Sequence, residues 1–312
     1  AWRHYLRDQV AAAVRALGAR DVYVDLTTLG EAERRALRVR LHGDRPASPA
    51  EVFASARVLA ISSGKGGVGK SSLSTNLAVS LARRGKRTAL IDADVYGFSV
   101  PRMIGIDRRP AIVDNLVIPP RAHGVAVVSV ALFATDEQTP VIWRGPMLHK
   151  ALRQFVSDVY WNDPEYVVID MPPGTGDVAL TMAQFLPASE VVVVTTPQPA
   201  AQKVAQRAAY MARKVNLTVS GVVENMSWFT AGDGVRYELF GSGGGELLAK
   251  QLGVPLLGRI PLVPQLREGG DVGRPVVAEN PGSEAATAVE AITERLVGQR
   301  RRRPDLPLVN VT

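Results

Sequence analysis

The chain of 312 residues contains no cysteine, which excludes disulfides and thiolate metal sites made by the chain itself. It also lacks any apolar run near the roughly 18 residues a membrane-crossing helix needs. Its first residues carry no basic segment leading into an apolar stretch and a cleavage site. A cytoplasmic location without membrane contact is therefore expected. The chain opens at Ala1-Trp2 without a methionine, in mid-pattern, and a trimmed start is expected. Its four histidines, His4, His42, His123 and His149, are too scattered to replace a cysteine cluster. With 46% hydrophobic and 21% charged residues, the composition is that of an ordinary globular chain rather than a disordered one. The net charge of +7 comes from scattered arginines plus one run, Arg300 to Arg303, which reads either as a solvated tail or as a polyanion-binding patch.

Apolar residues spaced by three and four predict helices over Tyr5 to Leu17 and Glu31 to Leu41, with a short strand between them at Val22 to Leu26. Together they form a small appendage over residues 1–45. Residues 46–56 read as a linker, because Gly43-Asp44-Arg45-Pro46-Ala47-Ser48-Pro49 packs turn residues and two prolines into seven positions. From residue 57 to 298 strand and helix signals alternate: strands at Val58 to Ser62, Arg87 to Asp92, Tyr166 to Asp170, Val191 to Thr195, Leu217 to Val223 and Leu256 to Ile260, with helices at Leu73 to Arg84 and Ala200 to Val215. Near-continuous apolar strands such as Val191-Val192-Val193-Val194 indicate a mostly parallel sheet covered on both faces, an α/β doubly wound domain. The stretch from Ile112 to Ile142, with apolar pieces at Leu116 to Ile118 and Val125 to Leu132, reads as an inserted hairpin. Residues 299–312 form a basic tail.

Gly64-Lys65-Gly66-Gly67-Val68-Gly69-Lys70-Ser71 follows an apolar strand and opens a helix, the context in which G-x-x-x-x-G-K-S becomes a phosphate loop for ATP. Glycines let backbone N–H groups wrap a phosphate at the positive end of the helix. Lys70 would neutralise the β and γ phosphates, the Ser71 hydroxyl would take a Mg²⁺ position, and Ser72 would extend the cradle. The same stretch satisfies G-x-G-x-x-G at Gly64, Gly66 and Gly69, and Asp92 sits where a dinucleotide fold would place its ribose carboxylate. Lys70-Ser71 directly after the last glycine argues against that rival, because a dinucleotide fold needs neither a cation nor a hydroxyl there.

Val167-Val168-Ile169-Asp170 is an apolar strand ending in an acid, the arrangement that holds Mg²⁺ in phosphoryl transfer. Pro172-Pro173-Gly174-Thr175-Gly176-Asp177 follows, either as a γ-phosphate sensor through the Gly174 N–H or as a rigid turn. Of the two acids closing the second strand, Asp94 is expected to orient the attacking water and Asp92 to serve the Mg²⁺ shell. Two solvated loop acids remain the plainer reading.

Six motifs in order now carry a resemblance. The loop at 64 to 71, Asp-Ala-Asp-Val-Tyr-Gly-Phe-Ser-Val-Pro at 92 to 101, Trp-Arg-Gly-Pro-Met at 143 to 147, Asp-Met-Pro-Pro-Gly-Thr-Gly-Asp at 170 to 177, Glu-Asn-Met-Ser at 224 to 227 and Phe-Gly-Ser-Gly-Gly-Gly at 240 to 245 resemble the Mrp/ApbC branch of deviant-Walker P-loop ATPases, over about residues 56 to 285. The first 45 residues are similar to the back half of a MIP18-like domain. The resemblance implies ATP hydrolysis in a homodimer, with Lys65 as the signature lysine reaching the partner's nucleotide, Asn225 reading adenine and Arg259-Ile260-Pro261 near the base. It assigns no role to Trp143 to Met147. It also implies carriage of a [4Fe–4S] cluster to apo-protein clients or iron–sulfur assembly proteins, held by a Cys-x-x-Cys pair shortly after Glu-Asn-Met-Ser. Roughly at that place this sequence has Ala231 and Gly234, so the residues support the ATPase and not a stable cluster ligated by this chain. A second reading, a ParA-like positioning ATPase binding DNA non-specifically, is motivated by a pI of 9.8 and Arg300 to Arg303, although a nucleic-acid partner is not the expectation.

Overall fold

The structure, a computed structural model, describes residues 2–42, 49–94, 97, 99–113, 116–133, 145–174 and 177–299. The chain divides into two units, Ala1–Asp44 and Arg45–Thr312. The first holds α1 (Trp2–Ala16) and α2 (Glu31–His42). The strand expected at Val22 to Leu26 is absent: these residues take no regular structure. They have no partner strand among the described residues of that unit, and a lone strand leaves its backbone groups unpaired.

In the second unit, the order is α3 (Pro49–Val52), β1 (Arg57–Ser63), α4 (Lys70–Arg83), β2 (Thr88–Asp92), α5 (Val100–Ile104), β3 (Ala111–Val113), β4 (Leu116–Ile118), β5 (Arg121–Ala122), β6 (Val125–Ser129), α6 (Gly145–Ser157), β7 (Tyr166–Asp170), α7 (Asp177–Phe185), β8 (Glu190–Thr195), α8 (Pro199–Lys214), β9 (Thr218–Glu224), β10 (Phe229–Thr230), β11 (Arg236–Tyr237), α9 (Gly244–Leu252), β12 (Leu256–Arg259), α10 (Pro264–Asp271), α11 (Val276–Glu279) and α12 (Glu284–Gly298). Eight strands form one sheet in the order β12-β9-β8-β1-β7-β2-β6-β5. All neighbours run parallel except the short edge strand β5, which is antiparallel to β6.

The inserted-hairpin reading of Ile112 to Ile142 needs correction. Among the described residues of that stretch, β3 and β4 alone pair apart from the main sheet. Val125–Ser129 is a fully buried member of the main sheet, paired in register with β2 from Thr88↔Val125 to Asp92↔Ser129. An apolar run of five residues suits either role, and burial against both layers of helices decides for the sheet.

Period-two alternation explains how one sheet feeds two cores. Val58, Ala60, Ile91, Ile169, Val191 and Val193 face one cluster with residues of α6, α7, α8 and α9, while Leu59, Ile61, Leu90, Val168, Val192 and Val194 face another with residues of α4, α5, α11 and α12. Register then gathers the strand ends that matter: Ile61 lies beside Asp170, and Asp170 beside Asp92. Their C-terminal ends open on one edge, where doubly wound folds hold ligands. Trp143, Arg144 and Arg300 to Arg303, invoked in the sequence reading, lie outside the described residues, as do Thr175 and Gly176. None of the described helices is long and apolar enough to cross a membrane.

Candidate nucleotide site

Between β1 and α4 the chain turns through Gly64–Gly69, and two glycines there adopt positive φ, Gly67 at 79° and Gly69 at 81°. Gly69 caps α4. A Cβ on it would fall 2.1 Å from Asn225 Nδ2, and one on Gly64 would fall 2.2 Å from the Val204 backbone of α8. Neither position tolerates a side chain. By contrast, a Cβ on Gly66 or Gly67 meets nothing within 4 Å, so the inner wall of the loop is open to a ligand. Asn225 donates from Nδ2 to the Val68 carbonyl at 2.8 Å, while its Oδ1 is buried without a partner among the described residues. An unpaired buried acceptor is costly, about 1–3 kcal/mol, and marks a place where a donor from a ligand would be stabilised.

Beside this cradle stands a cluster of charge. Lys70 Nζ lies 2.8 Å from Asp170 Oδ2 and 3.4 Å from Asp94 Oδ2. Ser71 Oγ donates to Asp170 Oδ2 at 2.5 Å, and Ser74 Oγ donates to Asp170 Oδ1 at 2.7 Å. All three charged side chains are buried, so their mutual pairing offsets the loss of water around them. Asp94 Oδ1 is buried with no hydrogen-bond partner among the described residues. Asp92 turns the other way: Oδ1 accepts the Asp94 N–H at 3.1 Å and Oδ2 accepts the Ser129 hydroxyl at 2.9 Å. Burial, reinforced by the neighbouring negative charge of Asp170, pushes the Asp92 carboxyl up to about 8, against the opposing hydrogen bonds from Ser129 and Asp94. In this structure Asp92 thus holds the backbone at Asp94, whereas Asp170 is the acid on Ser71.

An open cleft of about 380 Å³ lies over these groups, lined by Ser63, Lys65, Gly66, Gly67, Gly69, Lys70, Ser71, Ser72, Asp94, Gly97, Ser99, Met103 and Pro173. Lys65 is exposed on its rim and donates to Gln198 Oε1 at 3.4 Å. The Gly174 N–H, considered above as a γ-phosphate sensor, donates here to the Ser63 carbonyl at 2.9 Å, with φ at 115°. Arg259 reaches Glu224 and Glu246. Sequence reasoning passed over Ser74, Ser129 and Gln198, and gave Glu224 no role beyond its place in Glu-Asn-Met-Ser. Two left a signal: Ser74 lies four residues after Lys70 on the same helix face, and Ser129 ends the strand beside Asp92. Glu224 is buried and accepts the Gly245 N–H at 2.6 Å, drawing the start of α9 against the end of β9.

Residues 54–297 match the family described as ParA: NUBPL iron-transfer P-loop NTPase. The chain belongs to that family. It is 47% identical over 293 residues to the iron-sulfur cluster carrier protein of Mycobacterium tuberculosis, covering 91% of this chain and 77% of the relative. With the Bacillus subtilis protein of the same name it shares 54% over 205 residues, 65% of this chain and 58% of that one. Among solved structures, a nucleotide-binding protein from Archaeoglobus fulgidus in complex with ADP is similar at a TM-score of 0.66 and 31% identity, over 77% of this chain and 96% of its own. MinD from Pyrococcus horikoshii, 22% identical over 77% of this chain and 96% of its own with a TM-score of 0.58, shares the fold. This family member is a P-loop ATPase.

The residues present fit a nucleotide: the open glycine wall and the orphaned oxygens of Asn225 and Asp94 supply shape and polar partners. They also fit Mg²⁺, since Ser71 and Asp170 offer hard oxygen donors. No group of three or more His, Asp or Glu gathers as a cage among the described residues, so the ion would complete its shell with phosphate and water, as Mg²⁺ prefers. An iron–sulfur cluster does not fit. The β10–β11 hairpin closes on a turn in which Gly234 N–H donates to the Ala231 carbonyl at 2.9 Å. Ala231 and Gly234 are the residues where the family's thiolates were expected, and neither carries a ligand. Glu284, the first residue of α12, anchors the hairpin instead, accepting from Trp228 Nε1, Thr230 Oγ1 and Arg236 Nη2 at 2.6 to 3.0 Å, while Arg236 lies 4.6 Å above the Trp228 ring.

Proposed function

We propose that this chain is a Mg²⁺-dependent ATPase acting as a homodimer in iron–sulfur or metal-centre maturation, in which the ATP state controls docking of an apo-protein client or cluster donor and any cluster is held by thiolates of another protein. The buried Lys70–Asp170 pair, with Ser71 beside it at the mouth of the glycine loop, carries the reading. Bound there, ATP would set its phosphates against the loop N–H groups and the start of α4. Lys70, already drawn to Asp94 and Asp170, would exchange part of that pairing for the β and γ phosphates. Ser71, backed by Asp170, would hold Mg²⁺, which neutralises phosphate charge in transfer. Asp94, with a free oxygen in the cleft, would orient the attacking water.

Lys65 supports the dimeric part of the reading. Its ammonium stands at the rim, held among the described residues by one long hydrogen bond to Gln198, and could extend toward a second subunit, where positive charge would stabilise the transition state. The family name and the absence of cysteine together favour a partner's thiolates over this chain's own.

Kinetics and binding on three variants test the division of roles. Lys70→Ala is expected to weaken ATP binding by at least a hundredfold. Lys65→Ala and Asp94→Ala are expected to keep binding within a few-fold and to lower turnover by about a hundredfold or more. Equal loss of binding in all three would refute it.

A further inference from the structure

The Asp170 carboxylate is wholly buried, and its two oxygens serve different neighbours. Oδ2 takes Ser71 at 2.5 Å and Lys70 at 2.8 Å, and Oδ1 takes Ser74 at 2.7 Å. A carboxylate torsion is broad and roughly two-fold, so contacts on one oxygen alone leave its plane poorly fixed. The Ser74 hydroxyl pins the second oxygen. Its one proton has another acceptor within reach, the Lys70 carbonyl at 3.0 Å, but Asp170 is nearer and charged, and charge-assisted bonds are the stronger ones.

A purely structural role would make Ser74 resemble its helix neighbours. Thr75 and Ser80 are equally buried on α4, yet their hydroxyls have no hydrogen-bond partner among the described residues. The helix therefore tolerates buried hydroxyls without assigning them a task, and only Ser74 of these three is directed at the strand-end acid.

We infer that Ser74 is a positioning residue for the divalent cation: by holding Asp170 Oδ1 it aims Oδ2 at Ser71 and so fixes the pair that would meet Mg²⁺ beside ATP. The inference rests on the Mg²⁺-ATP reading of this site. Ser74 touches neither metal nor nucleotide. Its effect passes through Asp170, as groups behind metal ligands commonly contribute ten- to a hundredfold in metal affinity.

Calorimetric titration of the full chain with ATP, once in EDTA and once in Mg²⁺, reads this directly as the ratio of the two affinities. Ser74→Ala is expected to leave the EDTA affinity unchanged and to shrink the Mg²⁺-induced tightening by about ten-fold. Ser80→Ala and Ser74→Thr should retain the wild-type ratio. Thr and Val at position 74 match in volume and differ in the hydroxyl, so that pair decides the matter should Ala not fold, with Val expected to behave as Ala. An unchanged ratio in Ser74→Ala, or equal weakening with and without the cation, overturns the inference while leaving the nucleotide site standing. A wild-type affinity indifferent to Mg²⁺ would instead remove the Mg²⁺ reading and the inference together.

Discussion

The loop between β1 and α4 and the hairpin of β10 and β11 are both shaped by backbone geometry, but they differ in what their side chains can do. At the loop, Lys70, Ser71, Asp94 and Asp170 converge within hydrogen-bonding or ion-pairing distance. At the hairpin, the turn is closed and anchored on Glu284, yet Ala231 and Gly234 offer nothing to a metal. A fold therefore carries its scaffold independently of the chemistry grafted on it. Hairpin geometry persists without thiols because hydrogen bonds and the Arg236–Trp228 contact maintain it.

The most drastic way to break this contrast is anaerobic reconstitution with iron and sulfide. The wild-type chain is expected to acquire no brown chromophore and to transfer nothing to an apo-acceptor, whereas an Ala231→Cys/Gly234→Cys double variant gains a chromophore. A cluster on the wild type would end the distinction. Next in size, Glu284→Ala removes the acceptor for three donors, each such charged bond being worth about 1.5–3 kcal/mol, and residues 229–237 should exchange amide hydrogens markedly faster while ATP binding is unchanged.

The same anchor has a pH signature. Partial burial pushes the Glu284 carboxyl up, but hydrogen bonds from Thr230 and Trp228 and the charge of Arg236 outweigh it and leave it below the ordinary value of 4.5. A depressed carboxylate stabilises above its unfolded value and loses that contribution as pH falls through the lowered one. Hairpin protection should accordingly decay only in acid below the ordinary glutamate range, read by the same exchange experiment.

At the end of β2, beside the phosphate loop, the sign is opposite. Asp92, raised to about 8 from 3.8, keeps its proton in the folded chain over a window in which the unfolded chain has lost it. Stability must then decline as pH climbs through that window, by at most about 1.4 kcal/mol per pH unit for one proton. Melting curves of the metal-free wild type and Asp92→Asn should differ in slope there and converge at low pH, and parallel curves would show that Asp92 is ionised.

Much of the architecture was legible because its signals are local. Unbroken apolar strands, a glycine loop entering a helix and an acid closing Val167 to Asp170 each announce themselves within about ten residues. Where the reading failed, the deciding contact was remote. Val125–Ser129 joined the main sheet because β2 lies alongside it, and Val22 to Leu26 formed no strand because no described neighbour in its unit pairs with it. Ser74 and Ser129 were overlooked since serines are common and neither belongs to a motif; only register with Asp170 and Asp92 gives them meaning.

The sequence by itself determined the phosphate-loop chemistry and the impossibility of thiolate ligation, because residue types and their absence are facts of composition. Tertiary structure decided which acid backs Ser71 and which one holds the backbone at Asp94, and that the hairpin is anchored on Glu284. Those choices depend on strand register and on groups that lie about 40 to 100 residues apart in the chain, which no local pattern encodes.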